Sequence, residues 1–149
     1  MKRILWIVLG IFIGIQFIPA NRPENNNDTT KDLIANNQIP ENITKILKTS
    51  CYDCHSNQTE YRWYAYVAPV SFLIAKDVRE GRDELNFSLW EDLKRNKKAK
   101  ALSEMAEEVE DGEMPVEIYL ITHSNAKLSE QNKKEFSEWA ESFAENLYE

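Results

Sequence analysis

Both cysteines of the chain and one of its two histidines fall within six residues, Ser50-Cys51-Tyr52-Asp53-Cys54-His55. Whatever this chain folds into must place two thiols and an imidazole side by side. The residues before the motif set its local structure. Pro40 and Glu41 open a stretch in which Ile43, Ile46 and Leu47 share one helical face and lead directly into Cys51. The cysteines therefore follow a helix.

That placement discriminates among the chemistries open to a Cys-x-x-Cys pair. A thioredoxin-type dithiol sits at a helix N-terminus after a strand, where the helix dipole lowers the first thiol's pKa, and its context is a βαβ pattern. Zinc needs four ligands at tetrahedral geometry. Cys51, Cys54, His55 and His123 make four, but the adjacent Cys54 and His55 can hardly both reach one small ion without straining the backbone. A Cys51–Cys54 disulfide is feasible in an oxidising compartment, although so short a loop removes little entropy. The remaining reading uses all three residues. Cys-x-x-Cys-His is the attachment motif of c-type haem, with the thiols of Cys51 and Cys54 adding to the vinyl groups and His55 serving as the proximal iron ligand.

The rest of the chain reads as helices and loops. Val70 to Ala75 continues into a charged segment that Gly81 is expected to stop. Ser88 and Glu91 have the spacing of a capping box for a short helix. Ala99 to Asp111 carries apolar residues at helical spacing and ends at Gly112, and Ser129 caps a final helix with a stripe of Phe136, Trp139, Ala140, Phe143 and Leu147. No segment alternates like a strand for long. The expected fold class is all-α.

The N-terminus is of another kind. Lys2 and Arg3 precede Ile4 to Ile18, in which only Gln16 is polar, and an Asn-rich, Pro-containing stretch follows. A basic start and an apolar run mark a signal peptide or an uncleaved membrane helix. Residues 1–20 are expected to be that segment, residues 21–39 a flexible linker, and residues 40–149 the domain. The domain would lie on the extracytoplasmic, periplasmic face, anchored in the inner membrane by residues 4–20, or be secreted in soluble form. A net charge of -7 and a pI near 5.0 give no basic face for nucleic acid.

The segments "SCYDCHSNQTEYRWYAYVAPVSFLI", "EGRDELNFSLW" and "EDGEMPVEIYLITHSNAKLSE" resemble a bacterial family named for its haem-binding domain, small exported cytochrome-c-like proteins. The resemblance runs from about Ile43 to Trp139, and Arg62 departs from it, standing where a proline is expected. It implies a cytochrome-c-like helical fold around one covalently attached haem c per chain, matured outside the cytoplasm. It also implies that the Pro69 carbonyl accepts the second ring N–H of His55. Met114, in a loop before Pro115, resembles the distal methionine of small soluble cytochromes, with His123 as the alternative sixth ligand. Trp63, Arg79 and Arg82 are candidates to hydrogen-bond the haem propionates.

The resulting expectation is an extracytoplasmic monohaem c-type cytochrome that transfers one electron at a time to a protein redox partner, and no catalytic residues are assigned. A peroxidase-like or ligand-sensing haem protein is the first alternative. A haem-free domain clipped by a disulfide is the second.

Overall fold

The computed structural model describes residues 1–148, and all regular structure in it is helical. Eight α-helices follow in chain order: α1 (Lys2–Ile15), α2 (Leu33–Asn36), α3 (Glu41–Ser50), α4 (Tyr52–His55), α5 (Val70–Glu84), α6 (Arg95–Asp111), α7 (Glu117–Leu120) and α8 (Glu130–Asn146). Short 3-10 turns at Trp63–Tyr66, Phe87–Asp92 and Ser124–Ala126 join them. The antiparallel pair α6 and α8 forms one side of the core, and α3 packs across α8. Leu102, Ala106 and Val109 of α6 meet Phe136 and Ala140 of α8, and Ile43, Ile46 and Leu47 of α3 close the cluster with Phe87 and Trp90. Each helix contributes the apolar stripe that its sequence spacing demands.

The helix ends have identifiable causes. Gly112 adopts φ 77°, the left-handed conformation that terminates α6. The Ser129 hydroxyl accepts from the Asn132 N–H at 3.1 Å, and the Asn132 side chain accepts from the Ser129 N–H, a capping box for α8. The expected capping box at Ser88 and Glu91 does not form. Asn86 caps the 3-10 turn by accepting from the Ser88 N–H at 3.0 Å, while the Ser88 hydroxyl accepts from the Asn57 N–H at 3.0 Å. Ser88 is thus recruited to hold the loop after the cysteine motif.

Gly81 does not end α5, which runs on to Glu84. Its lack of a side chain serves packing instead. A Cβ at this position would lie 2.8 Å from the Cys54 carbonyl oxygen and 3.1 Å from the Cys54 Cβ. α5 therefore presses against α4 directly beneath the second cysteine.

The N-terminal part differs from its sequence in character. The apolar run forms α1, 14 residues with no buried side chain, about 21 Å long at 1.5 Å per residue. No helix among the described residues is long and apolar enough to cross a membrane. The run is interrupted at its one polar residue: the Gln16 amide donates to the Ala68 carbonyl (3.1 Å) and accepts from the Ala68 N–H (3.0 Å). Residues 21–39, expected to be a flexible linker, are instead fastened to the domain. Arg22 donates to the Ala65 carbonyl at 2.8 Å and stacks over the Tyr66 ring at 4.0 Å, and Asn26 N–H donates to the Asn57 carbonyl at 2.9 Å. Asp32 caps α2, and Leu33 is fully buried in the core. Polar composition concealed this because the strap is fastened by hydrogen bonds rather than by an apolar stripe.

Replacement of Gly81 by alanine is expected to cost about 1–3 kcal/mol as an overpacked contact and to lower the midpoint of thermal unfolding. An unchanged midpoint would show that α4 and α5 can separate without loss.

Candidate functional site

The motif forms a single turn. The Cys51 carbonyl accepts from the N–H groups of Cys54 (3.2 Å) and His55 (3.0 Å), so the two thiols stand one helical turn apart and the imidazole follows. The two residues between the cysteines fasten this turn on opposite sides. The Tyr52 ring is buried and stacked on Phe87 at 5.1 Å, and its hydroxyl donates to Asp32 Oδ1 at 3.1 Å. Asp53 Oδ1 accepts from the Glu60 N–H at 2.9 Å, and its Oδ2 accepts from the Tyr119 hydroxyl at 2.9 Å. One side chain thus holds the strap and the other holds α7.

Both thiols are free. Burial pushes Cys51 up to about 12, with the neighbouring Cys54 adding to the effect. Burial also pushes Cys54 up to about 12, helped by Asp53 and Asp77 and opposed by Arg82. A reactive dithiol needs the reverse, a depressed pKa. These thiols are protonated at neutral pH.

His55 is shifted downward, chiefly by burial, against hydrogen bonds to the Leu85 and Gly81 backbone and the charge of Glu84. It is held neutral, the form in which a ring nitrogen can bind metal. Its Nδ1 lies 3.1 Å from the Leu85 carbonyl oxygen, which can only accept, so the proton resides on Nδ1 and the lone pair on Nε2. This corrects the expected acceptor: the Pro69 carbonyl instead receives the Phe72 N–H at 3.1 Å, as part of the first turn of α5.

Beside Cys54 opens a cleft of about 340 Å³, within the roughly 300–1,000 Å³ typical of small-molecule and cofactor sites. Its walls come from the aromatic turn after the motif (Tyr61, Trp63, Tyr64), from α5 (Val70, Leu73, Ile74) and from the segment Val116 to His123. Its rim is apolar yet open: Trp63 is 77% exposed, Ile121 78% and Ile118 52%. Apolar surface gathered around a concave site marks a place for a ligand.

The other candidate residues are distributed as follows. His123 lines the cleft and Met114 does not; Met114 is exposed, in the loop between α6 and α7. Trp63 stands on the rim, edge-on to Tyr64. Arg82 lies at the strap, where it donates to the Glu24 carbonyl (2.7 Å), Asn25 Oδ1 (3.0 Å) and Thr59 Oγ1 (2.9 Å). His55 turns toward Leu85 and the Phe87 ring, not into the cleft. Asp53, Tyr64 and Tyr119, the polar residues around His123, were not singled out from the sequence as a set. Their spacing has no recognisable pattern, and only the fold brings them together.

An all-α domain with two protonated thiols, a neutral imidazole and an apolar cleft against one of those thiols defines a cofactor-binding domain. The apolar lining suits a haem, and of the candidate donors Cys54 and His123 stand on it while Cys51 and His55 do not. The model of the family described as haem-binding domain matches residues 10–142, and the chain belongs to that family. No curated protein and no solved structure matches it.

In the haem-free folded protein, alkylation of Cys51 and Cys54 at pH 8 is expected to be slow and to become fast in denaturant. Because both folded-state values lie above the usual 9.0, the stability these thiols contribute is present below pH 9 and lost as pH rises toward 12. Equal alkylation rates in folded and unfolded protein would contradict this burial.

Proposed function

We propose that this protein is a monohaem c-type cytochrome domain of the extracytoplasmic space, passing single electrons to a protein partner. The observation that carries the reading is the geometry of α4. Two free thiols stand one turn apart, one of them on the wall of an apolar cleft, and the next residue is a neutral imidazole with its lone pair on Nε2.

In this reading Cys51 and Cys54 carry the thioether links to haem and His55 supplies the proximal nitrogen. The bound haem supplies an iron that takes up and returns one electron. The protein's part is positional and electrostatic. Tyr52 and Asp53 hold the turn from both sides, the cleft offers an apolar bed beside Cys54, and Leu85 keeps the proton on Nδ1 of His55. The chain's negative charge favours a basic partner surface, which speeds encounter more than it tightens binding.

The apolar N-terminal segment serves export or attachment to a membrane in this reading. Basic residues precede it, and its side chains from Ile4 to Ile13 are exposed along the helix.

Co-expression with a c-type maturation system, followed by haem staining of a denaturing gel, tests the proposal. Wild type is expected to stain, the Cys51→Ala/Cys54→Ala double variant to lose all stain, and His55→Ala to change the absorption spectrum. Folded wild-type protein that carries no haem through the gel would refute covalent attachment.

A further inference from the structure

The apolar run at the N-terminus does not stop where α1 stops. Phe17 and Ile18 continue it past Gln16 and are 84% and 57% exposed. Gln16, which stands between them and α1, is clasped to Ala68 at 3.1 and 3.0 Å. Arg22, four residues beyond Ile18, is fastened to the Ala65 carbonyl and stacked on the Tyr66 ring. No polar tether therefore separates the lipophilic segment from the folded domain. α1 is about 21 Å long against a hydrocarbon core of roughly 30 Å, so it has no length to spare. An apolar run that enters lipid as far as Ile18 carries the domain surface around Ala68 to the lipid boundary with it.

The surface that arrives there is the apolar one. Val70 is exposed and lies two residues from the clasp at Ala68, at most about 7 Å of chain. Leu73 is exposed nearly one turn further along α5, Trp63 and Tyr66 are exposed in the aromatic turn before it, and Ile118 and Ile121 are exposed on another wall of the same cleft. Among the described residues, the large apolar side chains exposed elsewhere in the domain are Leu89, Met114 and Tyr148. Tryptophan and tyrosine have amphipathic rings that sit well at headgroup depth. Charge supplies little of the attraction, because Arg62 shares this side with Glu60 and Asp77. A second copy of the chain seated on the rim would leave α1, Phe17 and Ile18 bare, whereas lipid covers them and the rim together.

We propose that the rim of the cleft, formed by Trp63, Val70, Leu73, Ile118 and Ile121 with Tyr66 beside it, rests on the bilayer surface next to the point where α1 enters. This rests on the reading of the N-terminal segment as a membrane attachment. The clasp at Gln16 and the bond from Arg22 hold the rim at that level. The mouth of the cleft then opens along the lipid boundary rather than into bulk water.

The test uses full-length protein in phosphatidylcholine vesicles that include a phospholipid with a photoactivatable diazirine near its headgroup, and labelled peptides are identified by mass spectrometry. Label is expected in α1, in residues 63–73 and in residues 118–121, and not around Leu89 or Tyr148, at low and high salt alike. The Trp63→Glu/Ile121→Glu double variant, altered at two exposed positions, should lose the label from both rim regions while α1 keeps it. Label confined to α1 in wild type would overturn the proposal and leave membrane attachment standing. Label spread evenly over the domain, rim label that survives the double variant, or a rim crosslinked to a second copy in place of lipid would overturn it as well. Absence of label from α1, or removal of residues 1–20 on export, overturns the attachment reading and this proposal together. Should the double variant fail to fold, the wild-type pattern alone decides.

Discussion

The Asp53 carboxylate, accepting from the Tyr119 hydroxyl on one oxygen and from the Glu60 N–H on the other, is the contact on which the site depends. It lies between the two cysteines, and through it the cysteine turn is joined to the two chain segments that wall the cleft. Placed in partly dry surroundings, a carboxylate must be fully paired or its burial is costly. Here the pairing supplies structure as well as compensation. Tyr52 does the same toward Asp32 on the other side, so α4 is held as a beam between two supports rather than as the frayed end of α3.

The cleft that results carries a mixture of properties that a haem domain needs before it is loaded. Most of its lining is apolar, and its rim exposes Trp63, Ile118 and Ile121, surface that a folded chain would ordinarily cover. Four of the polar residues on its wall are joined to one another. Asp53, Tyr119, His123 and Tyr64 form one connected set, and burial with the nearby Asp53 pushes the Tyr119 hydroxyl well above the ordinary tyrosine range. It remains a donor at any physiological pH, which keeps the set intact.

What could be read from the sequence, and what could not, follows from the range of the forces involved. The helices α3, α6 and α8 were legible because a stripe of apolar residues at helical spacing is a local signal, and the reading of Cys51, Cys54 and His55 as a haem-attachment motif rests on their adjacency in the sequence. Gly81 was misread as a stop because a glycine that ends a helix and one that admits a neighbouring backbone look alike until the neighbour, Cys54, is in place. Residues 21–39 were misread as loose because hydrogen bonds from Arg22, Asn25 and Asn26 to distant backbone leave no periodicity behind. His55's partner was placed at Pro69 by likeness to cytochromes c, whereas the Leu85 carbonyl, at the end of α5, lies closer to hand. The gathering of Tyr64, Tyr119 and His123 spans some sixty positions and has no local trace at all.

The strap gives the molecule a mechanical character. A chain that left α1 as a leash would let the domain sweep a volume set by the length of the leash, and encounters with a partner would be governed by chance. Here Gln16 is clasped to Ala68, Arg22 to Ala65, and Arg82 grips the backbone at Glu24, so α1 leaves the domain at one place, next to the aromatic turn that walls the cleft. Whatever surface α1 meets, the cleft meets it at a set bearing, like a lamp on a bracket instead of one on a cord.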